Sequence, residues 1–482
     1  MITFGIGIAI LIGGGFLYSR YCEQVFRPDD RPTPAYRLRD GVDFVPMSRG
    51  RTALIELLNI AGTGPILGPI QGILFGPIAF LLIPIGNILG GAMHDYFSGM
   101  ISLRNDGAQM PVLIRKYLGK PVFAVYNLFL ALLLILVAAV FVYTPGDLFV
   151  SHILRQSPTA GNPWVWVVYG VIFIYYMAAT ILPIDKIIGR IYPVFGAILL
   201  FSAVGVGAGI FIKGYELTEF SFANYPGLIT GENRLIPAFF VTVACGIVSG
   251  FHSSQATLIG RSLRSEKEGP FVFYYMMVAE GLIAMIWAAA AMGLYAKGGY
   301  DAIAGQPEVI GAVAEDLLGT VGGMIAVIGI IVLPVTSGDT SLRALRLMVG
   351  ETFGIDQSRV RNRLTVSAVL FALTALILIF AKTGSGGFNV LWRYFAWANQ
   401  TIAVFAFAMI TVYLIRQKKI FVISLIPGMF YMFVIASYIL EAKIGFRMPQ
   451  LWGDITAAVM TLGYGVLLVL VYFRNKKSGK ES

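Results

Sequence analysis

From Ile2 to Phe473 the chain returns repeatedly to runs of about 20 apolar residues, the length at which a helix crosses a bilayer core. Thirteen windows fit that length: 2–18, 52–73, 75–103, 121–150, 164–182, 190–212, 235–260, 271–296, 321–347, 364–381, 388–414, 420–440 and 451–473. The polar stretches between them are too short to build a soluble core. Inside a bilayer every backbone N–H and C=O must be paired within the chain, and segments of this length do so as helices. Composition agrees, with 57% apolar and 13% charged residues against about 25% charged in soluble domains. The expected fold is therefore an all-α polytopic membrane protein with about 13 transmembrane helices.

The charge pattern orients it. Net charge is +10, which by itself would suit an acidic partner such as nucleic acid. Placing the N-terminus outside and alternating the loops leaves only Arg155, Lys213, Arg234, Lys297, Lys382, Arg393, Lys443 and Arg447 outside, and the other 28 of the 36 Lys and Arg inside. That asymmetry is the positive-inside rule, and it accounts for the charge without nucleic acid. The first run has no basic residue ahead of it, so it is expected to be an uncleaved anchor rather than a signal peptide. The C-terminus is then cytoplasmic. The outer loop 297–320 is expected to hold a short capping helix. Cys22 and Cys245 are too few and too dispersed for a disulfide framework.

Two windows carry the wrong chemistry for simple helices. The run Asn59-Ile-Ala-Gly-Thr-Gly-Pro-Ile-Leu-Gly-Pro69 is dense in Gly and Pro, which break a helix ladder. The run Ala244-Cys-Gly-Ile-Val-Ser-Gly-Phe-His-Ser-Ser-Gln255 is polar at mid-membrane depth. Five spans run from the first break to 212, and five more from the second break to 414. An odd number inverts the second set, so the pattern is a five-plus-five inverted repeat with a broken helix leading each half, the arrangement of a secondary transporter with a midplane site. The divisions are 1–50, an anchor and cytoplasmic loop; 51–234 and 235–416, the two repeats; and 417–482, two further helices and a tail. Free N–H groups at a half-helix start suit a substrate carboxylate. The substrate candidates are the backbone at Gly62, Thr63 and Gly64 and the side chains of Ser249, His252 and Gln255. Glycines that only permit close helix crossing are the structural alternative.

At these residues the chain resembles the carbon starvation protein A family. The resemblance rests on 60–69, on Gly91 through Asp95 to Arg104-Asn-Asp-Gly107, on Gly250-Phe-His-Ser-Ser-Gln255 with Arg261, on Thr336-Ser-Gly-Asp-Thr-Ser-Leu-Arg343 with Arg346 and Glu351, and on Trp397-Ala-Asn-Gln400. It implies a fold like the amino acid–polyamine–organocation superfamily, and a bacterial inner-membrane carrier of peptides or pyruvate used under carbon starvation. Where family members often carry a histidine just before the first motif, this chain has Ile55-Glu56. The larger members also extend further at the C-terminus, which weakens substrate transfer from them.

The remaining candidates are titratable or polar groups at membrane depth. Glu280 lies in an apolar span with no basic residue of its own, and such a carboxyl is a functional candidate by default. It heads the proton-coupling candidates, with His252 and Asp95 behind it; a structural hydrogen bond to a neighbouring helix is the alternative. Asp95, near Arg104 in sequence, could equally form a salt-bridge gate. Asp339 and Arg343 lie four apart on one helix face, as an ion pair or an inner gate would. Asn399 and Gln400 either line the cavity or cross-link helices. Sodium-using members of the superfamily hold the ion between the first broken helix and the eighth core helix, where Thr336-Ser337 fall, so the resemblance also admits sodium. No phosphate-binding Gly loop, His pair or Cys/His cluster points to an enzyme, a cofactor or a metal. The partners expected are a small carboxylate-bearing substrate, peptide or pyruvate, and the lipid bilayer. A channel or a nutrient sensor is the alternative, which the absence of concentrative uptake would reveal.

Overall fold

The computed structural model describes residues 1–478 except 42, 182–184, 223–233, 300–306, 357–358 and 385. Helix takes up 82% of it, and the described residues contain no strand. Among the described residues, nine helices are long and apolar enough to cross a membrane, including Ile2–Phe26, Glu266–Gly298, Gly387–Arg416 and Gln450–Phe473. A bent pair, Arg49–Ile60 and Gly64–Phe75, with 52° between its arms, is long and apolar enough only when its two arms are taken together.

That bend has a local cause. Ala61 leaves the helical region at φ −82°, ψ 55°, Gly62 and Thr63 turn the chain, and Pro65 restarts the helix in its first turn, where a missing N–H does no harm. The second break is cleaner. Val248 and Ser249 are fully extended between the helices Ala244–Ile247 and Gly250–Ile259. Both breaks fall inside the Gly/Pro-rich and polar runs of the sequence.

The outer loop holds a helix that starts at Glu308 and breaks at Gly319, whose φ of 71° and ψ of 177° lie outside the helical region and suit only glycine. A longer helix then continues to Phe353, so the first arm is the short helix expected in this loop.

The chain divides into two compact units. One comprises Met1–Phe129, Leu217–Ala288 and Ala396–Ser482; the other comprises Leu130–Glu216 and Ala289–Phe395. The first holds both breaks. Its interior is organised around the successive segments Ala79–Gly86, Asn87–Ala92 and Met93–Arg104, of which the middle one is a π-helical turn. A Cβ on Gly91 would stand 2.1 Å from the carbonyl oxygen of Ile247, so only glycine lets this segment touch the second break. In the second unit the core runs through Tyr143, Tyr169, Tyr176, Phe388 and Trp392, all buried.

Candidate functional site

Breaking a helix in an apolar interior frees carbonyls and amides that must find partners. Around the second break, three amide side chains supply them. Asn87, in the π turn, donates from Nδ2 to the carbonyls of Gly246 (3.2 Å) and Met277 (3.0 Å). Gln400 donates to the carbonyl of Phe240 (2.6 Å). Asn399 accepts the backbone N–H of Phe251 (2.9 Å) through Oδ1 and donates to Ser249 Oγ (2.9 Å). Of the two roles open to Asn399 and Gln400, both residues cross-link. The expected carboxylate cradle at the start of Gly250–Ile259 is thereby changed, because Asn399 already occupies one of its N–H groups. Ser249 is committed to the same amide. Asn399→Ala would strand that N–H and the Ser249 hydroxyl, and should lower stability by about 2 kcal/mol. A melting midpoint unchanged from that of the native chain in the same detergent would show the bonds to be dispensable.

Next to this tied break lies a row of buried titratable groups, all in the first unit. His252 is in the first turn of Gly250–Ile259 and only 2% exposed. Its Nε2 stands 3.6 Å from Glu280 Oε1, and its Nδ1 3.3 Å from Asp95 Oδ2. The other oxygen of Asp95 meets His94 Nδ1 at 2.8 Å. The His94 ring is held against Phe407, centroids 5.0 Å apart. Asp95 and Glu280 have no exposed surface, and neither has Glu56 on Arg49–Ile60, which faces Asp95 within coulombic range. Both oxygens of Glu56 and of Glu280 lack a hydrogen-bond partner among the described residues. Glu280, His252 and Asp95, expected separately from sequence, are thus one cluster. A single imidazole with a carboxyl beyond each ring nitrogen can accept a proton from one side and give it to the other. Among the described residues, no group of three or more His, Cys, Asp and Glu has an arrangement suited to a metal ion.

The other candidates separate. Arg104 does not serve as an Asp95 gate partner; it forks onto Glu266 at 3.0 and 2.9 Å. Beside it, outside the spans, the Arg31 guanidinium holds the Asp29 carboxyl well below the usual carboxylate range. Gly64 does not face a cavity: a Cβ there would lie 2.5 Å from the Cys245 side chain, so it serves close packing of the two broken helices. Gly62 does open on free space, and Thr63 beside it is buried with its hydroxyl unbonded among the described residues. Gln255 is buried one turn beyond His252, on the same face.

In the second unit Asp339 accepts from the Tyr175 hydroxyl (2.7 Å), and Arg343 donates to the carbonyl of Ala179 (3.3 Å). Ser337 gives its carbonyl to the Ser341 hydroxyl (3.0 Å), while the side chains of Thr336 and Glu351 lie outside the described residues. Sequence reasoning missed Asn87 and His94 as site residues and used Glu56 only as a departure from a pattern. Its one available signal was a polar side chain inside an apolar run, which all three share.

Comparison with known proteins extends this. The family model described as carbon starvation protein CstA matches residues 1–172, 154–329 and 312–438. A Haemophilus influenzae protein named only as an uncharacterized membrane protein is 41% identical over 339 residues, covering 61% of this chain and 91% of its own. The Escherichia coli protein named peptide transporter CstA is 24% identical over 515 residues, 81% of this chain and 73% of its own. Among solved structures, MhsT in complex with L-phenylalanine aligns with a TM-score of 0.56 at 15% identity, over 89% of this chain and 99% of that one. That last is a likeness of fold, of the LeuT type.

Proposed function

The chain belongs to the carbon starvation protein CstA family and is a multi-pass membrane transporter, and from that premise we propose that it is a proton-coupled importer of short peptides. The observation that carries the coupling is His252 between Asp95 and Glu280, buried beside a break in the helix. Substrate meets the backbone at Gly62, the Thr63 hydroxyl and the Gln255 side chain; Ser249 contributes through the Asn399 network rather than by direct contact. The peptide assignment follows the relatives' printed names. Pyruvate shares the carboxylate that an N–H-lined break would receive, and it is the other cargo the experiment has to include.

The finer architecture belongs to the same reading. Thirteen crossings, with 51–234 and 235–416 as inverted five-helix repeats, place the two breaks at equivalent positions, and 1–50 and 417–482 flank them. The membrane is the bacterial inner membrane, with the N-terminus outside. A reporter fused after Ser482 should therefore read as cytoplasmic and an N-terminal tag as accessible from outside. An externally accessible C-terminus would overturn the crossing count, since it reverses the asymmetry of Lys and Arg.

Uptake of labelled dipeptide and of pyruvate into proteoliposomes, with proton and sodium gradients imposed separately, tests the function. Dipeptide accumulation that follows the proton gradient is the expected result. Accumulation that needs sodium and ignores pH would transfer the coupling role to Thr336 and Ser337. Flux that never exceeds equilibration would make the protein a channel, and binding without flux a sensor.

A further inference from the structure

The second unit contains a cavity of about 430 Å³, within the roughly 300–1,000 Å³ range of small-molecule sites. Its lining includes Tyr143, Asp147, Glu308, Lys382 and Asn389, with the chain segment 157–160 along one side. None of these residues takes part in the His252 cluster.

The charges in it do not cancel. Lys382 and Asp147, 4% and 1% exposed, pair at 2.6 Å. The second Asp147 oxygen accepts from the Tyr169 hydroxyl at 2.6 Å, so that carboxylate is fully engaged. The Lys382 ammonium also lies 4.5 Å from the Tyr143 ring centroid. Glu308 is left over. It is the first residue of the helix that breaks at Gly319, and its Oε2 is buried without a hydrogen-bond partner among the described residues. Lys382 and His152 are within coulombic range of it, yet Lys382 is already matched by Asp147. Counted as formal charges, two carboxyls in the lining face one lysine. A buried carboxylate oxygen without a donor is costly, and a ligand that brings an N–H⁺ repays that cost. The Tyr143 ring lines the same cavity, with the Lys382 ammonium already against it.

The geometry points to this cavity as a binding site for a primary ammonium group, with Glu308 as its counter-ion and Tyr143 as its wall. On the peptide-importer reading, on which the cargo assignment rests, that group is the free amino terminus of the peptide. Pyruvate, which has no ammonium, gains nothing from it. The segment 157–160 and the glycines Gly384, Gly386 and Gly387 that border the cavity belong to loops assigned to the outside by charge, the side from which cargo arrives.

The probe is dialanine against N-acetyl-dialanine, in which a neutral acetamide replaces the ammonium, with pyruvate as the third ligand. Equilibrium binding to the purified full chain and uptake into proteoliposomes are measured together. The native chain should bind dialanine at least tenfold more tightly than the acetylated form. Glu308→Gln should bring the two within about twofold of each other, and Glu308→Asp, which keeps the charge, should restore most of the preference. Dialaninamide, which keeps the ammonium and loses the carboxylate, should compete in the native chain, a readout that needs no variant. Dialanine uptake with the preference intact in Glu308→Gln would overturn the site alone. Equal binding of dialanine and its acetylated form by the native chain would also overturn it. Pyruvate uptake without any dialanine binding would overturn both the peptide cargo and the site.

Discussion

Glu280→Gln should lower proton-driven accumulation by at least tenfold while leaving exchange of substrate across the membrane close to native. The amide has nearly the carboxyl's shape and can still reach His252 Nε2, 3.6 Å away, but it cannot release or take up a proton. Carrier movement with bound cargo needs packing and substrate contacts, which the substitution preserves. On the proposed proton-coupled reading, accumulation needs a proton to travel with the cargo, and that is what the amide removes. Counterflow in proteoliposomes separates the two, because it requires no gradient. Uptake by the variant that still follows an imposed pH difference would reduce Glu280 to a packing residue. His252→Gln should fall in the same class, since it removes the bridge between the carboxyls. Asp95→Asn should be harsher, because the Asp95 side chain faces both histidines.

Lys382→Met is expected to destabilise the protein by about 3–5 kcal/mol, the range found when one partner of a buried ion pair is removed. Methionine fills most of the lysine stem, so lost packing is a small part of the change. The large part is Asp147, 1% exposed and left with only the Tyr169 hydroxyl to balance its charge. The double variant Asp147→Asn with Lys382→Met should recover most of the loss, because it removes the unmatched charge along with its partner. Thermal unfolding in one detergent, native chain beside both variants, reads this directly. A double variant no more stable than Lys382→Met would show that shape rather than charge governs the position.

Much of the fold was legible in the sequence because bilayer length and the need to pair every backbone group act on each segment by itself. The breaks were legible for the same reason: Gly62, Pro65 and Ser249 misfit a simple helix wherever they occur. The site was legible only as separate suspects. Asp95, His252 and Glu280 lie 157 and 28 positions apart, and nothing local says that one imidazole will reach both carboxyls. Asn87 escaped because its value lies in two carbonyls, Gly246 and Met277, that its own segment gives no hint of. Gly64 misled for the opposite reason. Its freedom from a side chain is equally useful to a ligand and to a neighbouring helix, and Cys245 is the neighbour. Asp147 and Lys382 sit at the ends of two apolar runs, where a charge reads as solvated until the fold buries both.

The two breaks also differ in how much they leave to chance. Around the second, Asn87, Asn399 and Gln400 have fixed the exposed backbone with side chains of a specific length and polarity, and Asn87 and Asn399 each carry two bonds at once. Around the first, Gly62 borders open space and the Thr63 hydroxyl is uncommitted among the described residues. A random substitution is thus far more damaging at the amides than at 62–63. In a lineage accumulating mutations, that difference confines experimentation to one place. On the proposed reading, cargo preference can be altered at the first break by single changes, while the amide-tied second break resists them.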